Sequence, residues 1–299
     1  MALNAMASKH FTKHLGRVHL SPGSINARVP LAYEVHGIKS ASKKADPIIF
    51  LHGFLGSKRE NRTVSSLLAK DLSRQVFALD LRNHGDSGHH PKHGYMEMAL
   101  DVEAFIKSHG FKTASVIGHS MGAKTALALA LHSPELVSSV VAVDNCPIRL
   151  PVPDEFKKYL TALAAVERSK IRTHLEGDKI LAEYEDSPTI RLWLLSNFVR
   201  DKKLPHLKLR LPLDILRTAI DPIGDFPYSI EDEPKRAFHA PVLFIRAQDS
   251  FYIPHSAFPV ISSFFPHHQI KNVACGHWVV QELPQQFRQI VVDFLRTER

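Results

Sequence analysis

Five short apolar runs rich in β-branched residues punctuate the chain, at residues 47–51, 75–79, 114–117, 140–143 and 241–245. None alternates polar with apolar positions, so each reads as a strand covered on both faces. Between and after them, residues 60–73, 95–109, 121–132 and 285–296 space their apolar positions as helices do. Strand alternating with helix implies βαβ units, a mostly parallel central sheet and right-handed crossovers. The expected fold class is therefore α/β.

That rhythm holds up to Asp144 and then stops. Residues 150–235 carry amphipathic helical patterns over 154–171, 178–184 and 189–198, no convincing strand, and a scatter of prolines at 188, 205, 212, 222 and 227. The strand pattern resumes at Pro241. The expected organisation is an N-terminal segment over 1–30, an α/β core formed by 31–149 and 236–299, and a helical lid inserted at 150–235. The chain contains no internal repeat and no low-complexity tract.

Composition is that of a globular protein, and position sharpens the charge. The 299 residues hold 38 Lys and Arg against 30 Asp and Glu, a net +8. Four of those charges, Lys9, Lys13, Arg17 and Arg28, fall in residues 1–33, which contain no acid. The other 266 residues (299 − 33) carry only +4 (8 − 4), so the body is not the basic surface that a nucleic acid demands. A basic, acid-free stretch with Phe11, Leu15 and Val18 at helical spacing reads as an organelle transit segment. Two cysteines, Cys146 and Cys275, suit a reducing compartment better than a disulfide framework. No run approaches the roughly 18 apolar residues of a membrane span.

Candidate chemistry begins at Gly118-His119-Ser120-Met121-Gly122, between a buried strand and a run of good helix formers. A serine on so sharp a strand-to-helix turn needs neighbours without bulk, and the two glycines supply the room. A second Gly-containing turn, His52-Gly53-Phe54-Leu55-Gly56, follows the first strand and can aim the N–H of Phe54 at an oxyanion. The N–H of Met121, at a helix N-terminus, is the second candidate donor. A serine hydroxyl needs an imidazole oriented by a carboxylate. Of 19 histidines, His277 stands between the presumed last strand and the last helix, which returns it to the sheet edge of Ser120. Two acids keep the chain order Ser, Asp, His: Asp249, after the 241–245 strand, and Asp144, directly after the 140–143 strand. The His89-His90 and His267-His268 pairs lack metal-ligand spacing, and no metal is expected.

Four segments then recur in order: Leu51-His52-Gly53-Phe54-Leu55-Gly56-Ser57, Asp80-Leu81-Arg82-Asn83-His84-Gly85-Asp86-Ser87, Gly118-His119-Ser120-Met121-Gly122-Ala123-Lys124 and Ala142-Val143-Asp144-Asn145-Cys146-Pro147. Over about residues 30–297 the chain resembles one branch of the α/β-hydrolases, containing α/β-hydrolase domain-containing protein 11, bacterial esterases and the fungal ethanol acetyltransferases. The resemblance implies an α/β-hydrolase fold, a serine acyl-enzyme and Asp144 rather than Asp249 as the orienting acid. It implies short-chain esters, thioesters or alcohols as small-molecule partners, acetyl-CoA as a co-substrate rather than a bound cofactor, and a mitochondrial location. Hydrolysis and transfer to an alcohol both fit the residues. The competing reading is a catalytically silent α/β-hydrolase with a binding or protective role.

Overall fold

The computed structural model describes residues 28–37 and 46–297. Most of the acid-free stretch read as a transit segment lies outside the described residues. The chain runs through β1 (Tyr33–His36), β2 (Ile48–Leu51), α1 (Arg62–Leu72), β3 (Val76–Leu79), α2 (Tyr95–Ser108), β4 (Ala114–His119), α3 (Met121–His132) and β5 (Val137–Val143). Next come α4 (Asp154–Arg168), α5 (His174–Leu181), α6 (Pro188–Leu195), β6 (Phe198–Arg200), β7 (Leu207–Leu209) and α7 (Leu213–Ala219). Then β8 (Val242–Ala247), α8 (Phe258–Phe264), β9 (His268–Val273), α9 (Val279–Glu282) and α10 (Pro284–Thr297) follow.

Seven strands form one sheet in the order β1-β3-β2-β4-β5-β8-β9, with β1 antiparallel to β3 and the other pairs parallel. Alternate residues of each central strand go to opposite faces. Ile48 and Phe50 join Val64 and Leu68 of α1 and Phe287 and Val291 of α10, whereas Ile49 and Leu51 join Met98 of α2 and Leu127 of α3. Helices on both faces explain why these strands are mostly apolar, β2 and β3 at every position. The five apolar runs are β2, β3, β4, β5 and β8. The edge strands β1 and β9 mix polar residues with apolar ones, because solvent reaches part of each.

Residues 150–235 leave the sheet between β5 and β8 as an insertion. Contrary to the purely helical expectation, it contains an antiparallel hairpin, with Phe198 opposite Leu209 and Arg200 opposite Leu207. Strands of three residues are too short to show a period, and Phe198 completed the helical pattern that ends at Leu195 in the fold. The two stems of the insertion are tied together, since Leu150 N–H donates to the Gly224 carbonyl at 2.8 Å. Lys124 of α3 donates to the carbonyls of Gly224 and Asp225 at 3.0 and 2.9 Å, and the Tyr95 hydroxyl donates to Ile223 at 2.7 Å. Burial lowers the Lys124 ammonium to a pKa of about 8.

Candidate active site

Ser120 alone turns the chain between β4 and α3, with φ 54° and ψ −113°. That left-handed φ is costly for a residue with a side chain and persists only where packing dictates it. A Cβ on Gly118 would lie 2.1 Å from the Gly122 carbonyl oxygen, and one on Gly122 2.5 Å from the Leu51 carbonyl oxygen. Strand, turn and helix therefore meet at a distance that excludes any side chain at either position.

Ser120 Oγ–H donates to His277 Nε2 at 2.9 Å, and His277 Nδ1–H donates to Asp144 Oδ2 at 2.8 Å. Asp144 directly follows β5, is fully buried, and its Oδ1 accepts the Ala247 N–H at 3.1 Å. The Tyr252 ring stacks on the His277 imidazole, centroids 4.1 Å apart. His119 Nε2–H donates to the His277 carbonyl at 2.8 Å, and burial lowers the His119 imidazole to a pKa of about 4, so it stays neutral. Asp249 is exposed, its N–H donates to the Cys275 carbonyl at 3.1 Å, and its carboxylate makes no hydrogen bond among the described residues. The fold thus brings Ser120, His277 and Asp144 together and leaves Asp249 outside.

The turn after β2 lies against this serine: a Cβ on Gly53 would be 3.5 Å from that of Ser120. The Gly53 carbonyl accepts His52 Nδ1–H at 2.8 Å and Gly56 N–H at 3.1 Å. In a trans peptide the N–H opposes the carbonyl, so these two bonds fix the direction of the Phe54 N–H. Ser120 N–H donates to Val143 at 2.9 Å, whereas the N–H groups of Phe54 and Met121 have no acceptor among the described residues. His84 Nε2 accepts the Leu55 N–H at 3.1 Å and His52 Nε2 the Leu81 N–H at 3.0 Å. Burial lowers the pKa of His52 to about 4 and of His84 to about 3, which keeps both neutral and able to accept.

The Asp80–Ser87 segment braces the same turn. Asp80 accepts the Lys58 N–H at 2.7 Å and the Asp86 N–H at 2.8 Å and pairs with the Lys58 ammonium. Arg82 forms a bidentate pair with Asp101 at 2.6 and 2.8 Å. The sequence pattern singled out this segment without assigning it a task.

Ser120 and His277 open onto a cavity of about 10 Å³, bordered by Phe54, Glu60, Phe156, Trp193 and Trp278. Of the apolar residues of the insertion, Trp193 reaches this cavity, whereas Leu160, Leu163, Leu194 and Phe198 are buried in the core. Burial raises the Glu60 carboxyl to a pKa of about 7, against the hydrogen bonds it accepts from Trp193 and Ser57. Neither Glu60 nor Tyr252 was expected here, because nothing local in the sequence announces a contact made by distant elements. Among the described residues no group of three or more His, Cys, Asp or Glu is arranged to hold a metal ion, and no helix is long and apolar enough to cross a membrane.

A strained serine at a parallel-sheet edge, hydrogen-bonded through an imidazole to a buried carboxylate, is the arrangement of hydrolases and acyltransferases. The chain belongs to the α/β-hydrolase fold family, whose description matches residues 46–282. It is 37% identical over 269 residues to a Saccharomyces cerevisiae protein named as a probable alcohol acetyltransferase, covering 85% of this chain and 78% of that one. It is 32% identical over 283 residues to a mouse sn-1-specific diacylglycerol lipase, covering 92% and 89%. Among solved structures, a marine microorganism esterase superposes with a TM-score of 0.80 at 29% identity, covering 89% of this chain and 99% of that one.

Proposed function

We propose that the protein is a serine-dependent acyl-transfer enzyme acting on short-chain esters or thioesters, with Ser120 as nucleophile, His277 as base, Asp144 as orienting acid and the N–H groups of Phe54 and Met121 as oxyanion donors. The observation that carries this reading is the unbroken series from Ser120 Oγ–H through His277 to buried Asp144, at 2.9 and 2.8 Å, beside two N–H groups without an acceptor among the described residues.

Ser120 Oγ attacks the substrate carbonyl carbon as its proton passes to His277 Nε2. The carbonyl π pair moves to oxygen, where the two N–H groups receive the charge, and the imidazolium is balanced by Asp144. Collapse breaks the bond to the alkoxide or thiolate, which takes the proton from His277. Water or an alcohol then attacks the acyl-enzyme by the same steps in reverse, returning Ser120 and releasing an acid or a new ester. The acetyltransferase and lipase names among the relatives support acyl transfer to and from alcohols.

Purified protein is offered acetyl-CoA or ethyl acetate, with and without ethanol, and acetate and ethyl acetate are quantified. The expected result is acetate release that disappears in Ser120→Ala. Ethyl acetate formed from acetyl-CoA and ethanol identifies transfer. A cellular role that survives Ser120→Ala while acetate release is lost would instead identify a binding protein.

A further inference from the structure

Trp193 belongs to α6 of the insertion, yet its indole lies in the wall of the cavity that contains Ser120. Its Nε1–H donates to Glu60 Oε1 at 2.9 Å, across a sequence separation of 133 residues. The same oxygen accepts the Ser57 N–H at 3.0 Å, so the acceptor is itself fixed on the turn that follows Phe54. On one side the Trp193 ring meets Trp278 edge-on at 4.7 Å, and on the other Tyr159 at 6.2 Å. The helix end that carries it is tied to the core as well. Asn197 Nδ2 donates to the Leu55 carbonyl at 3.0 Å, and Arg210, at the end of the hairpin, reaches Asp86 at 3.2 Å and the Ser196 carbonyl at 3.2 Å.

Two arrangements would give Trp193 different tasks. An indole on a loosely attached flap would only gate entry, whereas one clamped by a hydrogen bond, two aromatic neighbours and a tethered helix end is a fixed wall. The contacts are those of a wall. Resting on the acyl-transfer reading above, we propose that Trp193, held in place by Glu60, sets the chain-length limit of the substrate pocket and restricts the protein to esters and thioesters with short chains. A cavity of about 10 Å³ has room for about one water. Any acyl or alkyl chain therefore needs space that the surrounding side chains must yield, and one that extends toward α6 meets the indole, whose displacement breaks the hydrogen bond to Glu60 and the edge contact with Trp278. In a rigid apolar pocket each methylene without a place costs roughly 10- to 200-fold in kcat/KM.

The test measures kcat/KM over two series, p-nitrophenyl acyl esters from acetate to octanoate and alkyl acetates from ethyl to octyl, for wild type, Trp193→Ala, Trp193→Phe and Glu60→Gln. Trp193→Ala is expected to raise the long-to-short ratio at least tenfold in one series or the other. Trp193→Phe keeps a ring but removes the donor and should give a smaller rise. Glu60→Gln retains an acceptor oxygen for the indole and should keep the wild-type ratio. Thermal melts establish that each variant is folded, and Trp193→Phe carries the test if Trp193→Ala is not. Ratios unchanged in both series for the folded Trp193 variants, with turnover still dependent on Ser120, overturn the wall and leave the acyl-transfer reading intact. Turnover that persists in Ser120→Ala overturns that reading and the wall with it.

Discussion

Neutralising one of two aspartates separates the candidate acids without altering backbone or volume. Asp144 is fully buried and its Oδ2 lies 2.8 Å from His277 Nδ1, whereas Asp249 is exposed and makes no hydrogen bond to the imidazole. During acyl transfer the imidazole becomes a cation, and at that 2.8 Å separation, with an effective dielectric of about 20, the Asp144 carboxylate stabilises it by about 6 kcal/mol. At 1.36 kcal/mol per decade this corresponds to about four orders of magnitude in rate. Replacement of the equivalent acid in serine proteases lowers kcat by about 10⁴, through the wrong imidazole tautomer, which is a comparable magnitude by an independent route. Asp144→Asn should therefore lower kcat for p-nitrophenyl acetate by about 10³- to 10⁴-fold, with KM little changed, and Asp249→Asn should stay within about twofold of wild type. Circular dichroism and thermal melts are the controls that each variant is folded. An Asp144→Asn protein with more than about a tenth of wild-type kcat, or an Asp249→Asn protein with the larger loss, would refute the assignment.

Three further expectations concern the scaffold. Gly122→Ala places a methyl 2.5 Å from the Leu51 carbonyl oxygen, so it should cost about 1–3 kcal/mol in urea unfolding and misplace Ser120, lowering kcat; wild-type values for both would contradict the close approach. Asp101→Ala leaves the Arg82 guanidinium buried without its bidentate partner, for which about 3–5 kcal/mol is expected in the same assay, with less than 1 kcal/mol arguing that water reaches it. Burial raises the Glu60 carboxyl from 4.5 to about 7, so the folded chain holds that proton more tightly than the unfolded chain. Its contribution to stability is complete below pH 4.5, falls as the pH rises to about 7, and is lost above that. Glu60→Gln should flatten this part of the stability profile, and an unchanged slope would place the titration elsewhere.

What could be read from the chain is what is local along it. The five buried strands are legible because helices cover both sheet faces, which leaves runs such as Ile48–Leu51 and residues 140–143 wholly apolar. The Ser120 turn is legible because close packing of β4, α3 and β2 tolerates only glycine at 118 and 122. The β6–β7 hairpin is not, since its three-residue strands hold less than two periods of any pattern. Nor are the contacts of Glu60 and Trp193, which depend on where α6 lands and on no feature of either neighbourhood.

The two candidate acids show where spacing stops being informative. Asp144 and Asp249 follow adjacent parallel strands, β5 and β8, at the same sheet edge and in the same chain order relative to Ser120 and His277. Strand order separates them: β5 lies directly beside β4, which delivers Ser120, whereas β8 is one strand further away. Side-chain direction completes the separation, because Asp144 adopts φ 46°, which a non-glycine residue accepts only where its surroundings hold it. One carboxylate oxygen is anchored by the Ala247 N–H of β8 and the other is left for His277. β8 thus supplies a backbone donor that aims the acid of the neighbouring strand, and the chain turns away into solvent before Asp249 is reached.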